Sequence, residues 1–284
     1  MMQMRASRLL TAAVATVLLA LAWLGHAATG EAAEGETTIL GDLLSRALST
    51  PTSRVSIGGV DGALSSDATI RDVAIADRDG VWLRLDRARL IWRRTALLSR
   101  RLEIDRLEIG RLEVLRRPVP SATPPAQDKE ALLPDLPVKV VVKAFALTDL
   151  VIGEPVLGEA ARIGGAGQAT LGDPREGLDL GFGLRRLDKP GTVTLKLAYV
   201  PDTARLELKL AHDEPAGGLA ARLMNLPGLP PVTLDLDGNG TLDAWNATLA
   251  FKAGEGIGAD GRARIDRAGP ERRMTLDLAS RVEG

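Results

Sequence analysis

The sequence predicts a mainly β protein: an elongated, coiled antiparallel β-sheet forming an open groove, with an N-terminal membrane or signal helix and a few short amphipathic helices. Three observations carry this. Apolar and polar side chains alternate over many short runs, as half-buried strands require. Turn residues such as Lys189-Pro190-Gly191 and Pro201-Asp202 separate the later runs at hairpin spacing. In the earlier runs the apolar parity switches every few residues, which a strand tolerates only by inserting a bulge that bends it.

The chain opens with Arg5 and Arg8 ahead of an uncharged stretch, Leu9 to Leu24. Leu9, Leu18, Leu19, Leu21, Trp23 and Leu24 are its membrane-anchor candidates. The stretch fits a secretory leader, and Gly25-His26-Ala27 offers a small-x-small cleavage pattern. A spanning helix needs about 20 apolar residues, so a retained anchor and a cleaved signal both remain open over 1–30. Farther on, Ile39, Leu40, Leu43, Leu44, Ala47 and Leu48 share one helical face; Thr38 caps its start and Pro51 stops it.

The stretch from Arg54 to Arg117 organises the rest. Val81, Leu83 and Leu85 lie on one parity, Ala88, Leu90 and Trp92 on the other. The pairs Leu102/Ile104, Leu107/Ile109 and Leu112/Val114 switch in the same way. Residues five apart would sit about 140° apart on a helix, so strands with bulges near Asp86–Arg87, Asp105–Arg106 and Gly110–Arg111 are the better expectation. This segment with the preceding helix forms a first unit, 38–117. Prolines 118, 120, 124, 125, 134 and 137 then mark a linker or surface loop, 118–137. A second sheet segment, 138–284, follows with period-2 runs at Leu178–Leu184, Val193–Tyr199 and Leu206–Leu210. One helix beginning at Pro215 and ended by Pro227-Gly228 interrupts it. Strands return at Val232–Leu236, Ala247–Phe251, Arg262–Ile265 and Met274–Leu278.

Taken in order, VSIGGVDGALSSDATIRDVAIADRDGVWLRLDRARLIW, TALLSRR, LEIDRLEIGRLEVLRRP, GTVTLKLAYVPDTARLELKL and EPAGGLAARLMNLPGLPPVTLDLDGNGTLDAW resemble the N-terminal region of the TamB group of the AsmA-like family. The resemblance covers roughly residues 40–284. It implies a β-taco-like groove carrying phospholipids between inner and outer membranes, with the bulk of the chain in the periplasm and an anchor in the inner membrane. It also implies outer-membrane protein clients, autotransporters among them. An outer-membrane TamA-type partner would bind the family's C-terminal domain. Family members are longer and nothing here corresponds to that domain, so the chain is expected to be an N-terminal fragment. The groove candidates are Val81, Leu83, Leu85, Leu90, Trp92, Leu102, Ile104, Leu107, Ile109, Leu195, Leu197, Leu206 and Leu208.

Composition limits the alternatives. The 284 residues carry a net charge of −1, against a general nucleic-acid partner. From Arg84 to Arg117, however, eleven Arg face five acidic residues, which fits either a solvated strand face or attraction to anionic head groups. Without cysteine there is no disulfide, thiolate nucleophile or Cys-based zinc site. Asp235-Leu-Asp237-Gly-Asn239-Gly240 matches part of a calcium loop, but position 12 is Asn246 where Glu is needed, and a DGNG hairpin turn explains it with less. His212 reads as an exposed turn residue beside Asp213 and Glu214. The sequence therefore points to no catalytic residues, metal or cofactor, and to a non-enzyme. A secreted β-rich adhesin or ligand-binding module with a cleaved signal is the other reading, although 3% aromatic content weighs against sugar stacking.

Overall fold

Alternation of this kind over so many runs demands a large sheet, and one is found. The computed structural model describes residues 53–62, 65–119, 139–268 and 271–282. The leader with its six anchor candidates, the helix expected over 39–48 and nearly all of the proline-rich stretch lie outside the described residues. No described helix is long and apolar enough to cross a membrane.

Thirteen strands form a single open sheet: β1 (Arg54–Asp61), β2 (Asp67–Asp77), β3 (Gly80–Arg93), β4 (Arg101–Val114), β5 (Lys139–Ile152), β6 (Ala161–Leu171), β7 (Leu178–Arg186), β8 (Thr192–Val200), β9 (Arg205–Glu214), β10 (Val232–Thr241), β11 (Ala244–Ala253), β12 (Ile257–Ala268) and β13 (Glu271–Val282). Each strand pairs only with its neighbours in sequence, so strand order equals chain order. Short helical turns join some of them: η1 (Arg94–Ser99) between β3 and β4, α1 (Glu154–Leu157) between β5 and β6, η2 (Pro201–Thr203) between β8 and β9, and α2 (Leu219–Leu223) between β9 and β10.

The expectation of a wholly antiparallel sheet is corrected at one place. β4 and β5 run parallel, from Arg101 beside Lys139 to Val114 beside Ile152. A parallel pair needs a crossover of a dozen or more residues, and the proline-rich stretch supplies that length. The same hydrogen-bonded sheet therefore continues from one side of this stretch to the other.

The parity switches have a physical basis. Between β3 and β4 the register slips at Ile91/Trp92, where Asp105 is the extra residue on β4. The other switches fall on one transverse line. Pairing skips Gly58 and Asp72 between β1 and β2, Asp72 and Asp86 between β2 and β3, then Asp86-Arg87 and Gly110-Arg111 between β3 and β4. It skips Gly110 and Thr148 between β4 and β5. From β1 to β5 the facing strands break together, so the register is the same on both sides of the line while the apolar side chains change parity in step. Between β5 and β6 the register slips at Val142/Phe145 and Leu147/Leu150, with the extra residues on β5. Asp86 holds the break: its Oδ1 accepts the backbone N–H of Arg111 at 2.6 Å and that of Arg87. A Cβ on Gly110 would lie 2.5 Å from that oxygen and push the Asp86 carboxylate off these amides, so glycine suits the position. From β6 onward the registers are unbroken and alternation is strict.

Three local expectations need revision. The helix expected from Pro215 starts at Leu219, because Gly217 takes φ +78 and turns the chain first; it also ends early, with Asn225 at φ +54. Asp237-Gly-Asn-Gly240 is not a hairpin turn but part of β10; the two-residue turn is Leu242-Asp243. His212 lies within β9, opposite Val193 and Leu234, and its side chain is largely covered.

Candidate functional site

Cross-strand partners share a face of a sheet, so the registers show which side chains stand together. One unbroken row runs Ala68, Leu90, Leu107, Phe145, Gly167, Phe182, Leu195, Leu210, Leu236, Leu249, Gly261, Leu278. A second links Trp92, Ile104, Val142, Ala169, Leu180, Leu197 and Leu208 and continues to Leu276. Leu102 and Leu206 belong to a third, through Val140, Leu171, Leu178 and Tyr199. Ile109 joins a fourth beside Ala88 and Leu147, and Leu83 and Leu85 oppose Val114 and Leu112 near the other end of the strands. Val81 opposes Ala76 beyond the slip at Ile75/Ala76. At about 4.8 Å between strands, twelve strands in a row extend over roughly 50 Å. Candidates chosen from distant parts of the chain thus lie on one face.

Accessibility along that face is uneven. Leu83, Leu85, Leu90, Trp92, Leu102, Ile104 and Leu107 are each 6% exposed or less. Leu90, Trp92, Leu102, Ile104 and Leu107 cover one another in a cluster that also takes in Val60, Ile70 and Val142, with Leu97 of η1 packed against it, and Leu83 packs in a smaller one with Val55 and Ile75. The indole Nε1 of Trp92 donates to the Ser65 carbonyl at 3.0 Å, so this core leaves no polar group of the tryptophan unpaired. Val81 and Ile109 are half-buried, as are Leu195, Leu197, Leu206 and Leu208. On β13 the face opens further, with Met274, Leu276 and Leu278 exposed. Between them Val232, Trp245, Ala247, Ala253 and Ala263 of β10–β12 are buried again, so the wall that a ligand could reach lies on β7–β9 and β13, whereas β1–β5 are occupied by their own side chains.

Polar groups close one end of the strands. Arg186 falls in register with Ile163, on the apolar face, and its side chain is buried. Its guanidinium meets Glu159 at 3.1 Å, Asp188 at 2.6 Å and Glu214 at 3.5 Å. Glu159 also binds Lys189 at 2.7 Å and Arg222 of α2 at 3.1 Å. The Lys189 ammonium, opposed by burial and aided by Arg186, holds the Glu159 carboxyl below the usual carboxylate range. The Glu214 carboxylate accepts the first amides of α2, Leu219 N–H and Ala220 N–H, each at 2.7 Å. A Cβ on the intervening Gly218 would collide with Glu214 at 2.1 Å. Six charges of balanced sign thus fasten α1, α2 and three strand ends, and Ala221 of α2 packs on Val232 and Ala253 beneath.

A second clamp involves Asp77. It accepts from Arg116 Nη1 at 3.0 Å, from Arg116 Nη2, and from the amides of Val119 at 2.8 Å and Asp79 at 2.9 Å. Hydrogen bonding from Arg116, acting against burial, draws its carboxyl far below the usual range. This ties the chain that leaves β4 to the β2–β3 turn, where the crossover toward β5 begins.

Sequence reasoning missed Arg186, yet a signal existed: it continues the inward parity of Leu178, Leu180, Phe182 and Leu184. The glycines of Asp237-Gly-Asn-Gly240 also have a role the sequence did not suggest. A Cβ on Gly238 would sit 2.1 Å from the Trp245 ring, so the glycine seats that indole, whose Nε1 donates to the Leu206 carbonyl at 3.2 Å. Among the described residues no group of three His, Cys, Asp or Glu side chains is arranged to hold a metal ion. No family model, curated protein or solved structure matches the chain.

Proposed function

We propose that this chain is an envelope-biogenesis protein of the TamB, AsmA-like type whose sheet curls into an open groove that carries phospholipid acyl chains through the periplasm. The observation that carries this reading is the set of apolar rows continuing through β7–β13, with half-buried Leu195, Leu197, Leu206 and Leu208 and exposed Met274, Leu276 and Leu278. Each methylene removed from water there contributes about 0.8 kcal/mol, so an acyl chain binds without polar recognition and can slide from strand to strand. The packed rows of β1–β5 act as the firm end of the groove, and transfer uses the accessible wall beyond it.

The test is native mass spectrometry of the purified full chain. Phospholipid is expected to accompany it, and Leu195→Glu combined with Leu197→Glu is expected to remove that lipid while circular dichroism stays unchanged. Protein free of lipid when prepared from a membrane-containing lysate, and inert toward added phospholipid, would refute the proposal.

A second reading rests on β13, which has no strand on its outer side among the described residues. That edge could hold an outer-membrane protein client by strand addition. Leu276→Pro removes an edge N–H; loss of client assembly with lipid binding intact would favour this role over transport.

A further inference from the structure

η1 and the residues on either side of it form a basic surface with an apolar tip that the groove does not use. From Arg93 to Arg101 the chain has four arginines and no acidic residue. Arg93 is engaged at home, meeting Glu103 at 3.4 Å and Asp105 at 3.2 Å. Lys143 takes the remaining capacity of the same two carboxylates. Arg94, Arg100 and Arg101 are exposed, and none has an ion pair among the described residues. Between them Leu98 is 90% exposed, the most exposed large apolar side chain described.

The tip is held in this posture. Leu97 packs inward on the core cluster, which leaves Leu98 pointing away from it. Arg100 closes the turn at φ +53, its N–H reaching the carbonyls of Ala96 and Leu97. Glycine is the usual residue at such a left-handed cap because it has no Cβ to clash. Here the position carries a cation despite that cost. The Arg101–Lys139 pairing at the start of β4 and β5 then fixes the turn to the parallel pair.

We propose that this turn docks on an anionic lipid surface, with Leu98 inserted among the acyl chains and Arg94, Arg100 and Arg101 on the head-group phosphates. Charge complementarity alone would admit any polyanion. A polynucleotide or an acidic protein, however, would satisfy the arginines and leave Leu98 in water, whereas a bilayer offers a plane of negative charge with hydrocarbon directly beneath. The inference does not depend on the groove carrying lipid; it concerns where the first strands rest.

The absence of cysteine makes a local probe possible. Ser99→Cys in the full chain, labelled with an environment-sensitive fluorophore, is mixed with phosphatidylcholine vesicles with or without phosphatidylglycerol. A blue shift is expected only with phosphatidylglycerol, lost in Leu98→Ser and weakened about fivefold for each of Arg94→Gln, Arg100→Gln or Arg101→Gln. The probe reads this turn and not insertion of the hydrophobic leader, which needs no anionic lipid. No shift, an equal shift with phosphatidylcholine alone, an equal shift with heparin, or a full shift in Leu98→Ser would each overturn the proposal.

Discussion

Arg186, Asp77 and Gly238 show how single positions decide the fit of this sheet. Arg186 sits where the alternation calls for a leucine, and its charge is tolerated because three carboxylates surround it. Removing it leaves Glu214 and Glu159 buried with too few partners, so Arg186→Ala is expected to cost about 3 kcal/mol, read as a lowered urea midpoint. Gly238→Ala drives a methyl into the Trp245 ring and should cost roughly 1–3 kcal/mol. The cost should largely vanish in a Trp245→Val background. Asp77 is one of the carboxylates that contribute to acid behaviour. Its folded pKa is depressed, so its contribution is complete above the unfolded value of 3.8 and is lost as pH falls through the lower folded value. Hydrogen exchange of the Val119 amide should therefore quicken only under strongly acidic conditions in the native protein, and at neutral pH in Asp77→Ala.

At the scale of strands, period-2 patterning made β7–β9 and β11–β13 legible, because each has a single apolar parity and a plain turn at its end. The bulge at Asp105 and the break at Asp86–Arg87 were legible as well, since a parity switch has few other causes in a strand. Direction was not. Alternation reads the same whichever way a strand runs, so Val140 and Val142 gave no sign that β5 lies parallel to β4. The turn at Leu242-Asp243 was hidden because glycine usually marks turns, whereas Gly238 and Gly240 serve the Trp245 seat and a strained strand end. His212 was misplaced because its acidic neighbours resemble a loop, although it continues the parity of Leu206, Leu208 and Leu210. Exposure along the face was also invisible, as a leucine looks alike in a packed core and on an open wall. The two kinds separate by mutation. Ile104→Ala, in the packed part, should lose about 2–5 kcal/mol of stability. Leu197→Glu, in the half-buried part, should leave the denaturation midpoint nearly unchanged and, under the proposed function, lower the affinity for a fluorescent fatty acid.

For the molecule as a whole, sequential strand order means that each strand meets the strands immediately before and after it along the chain. Stability is then close to a sum of neighbour terms, as in repeat arrays. The sheet can therefore be assembled vectorially: each hairpin, as it forms, finds its dock already in place and never waits for a distant segment. The β4–β5 crossover is the exception, where a long connection must close before pairing resumes, and it is the step expected to be slowest. The same arrangement lets the array lengthen or shorten one hairpin at a time without disturbing what precedes it, so its span is set simply by how many hairpins are encoded.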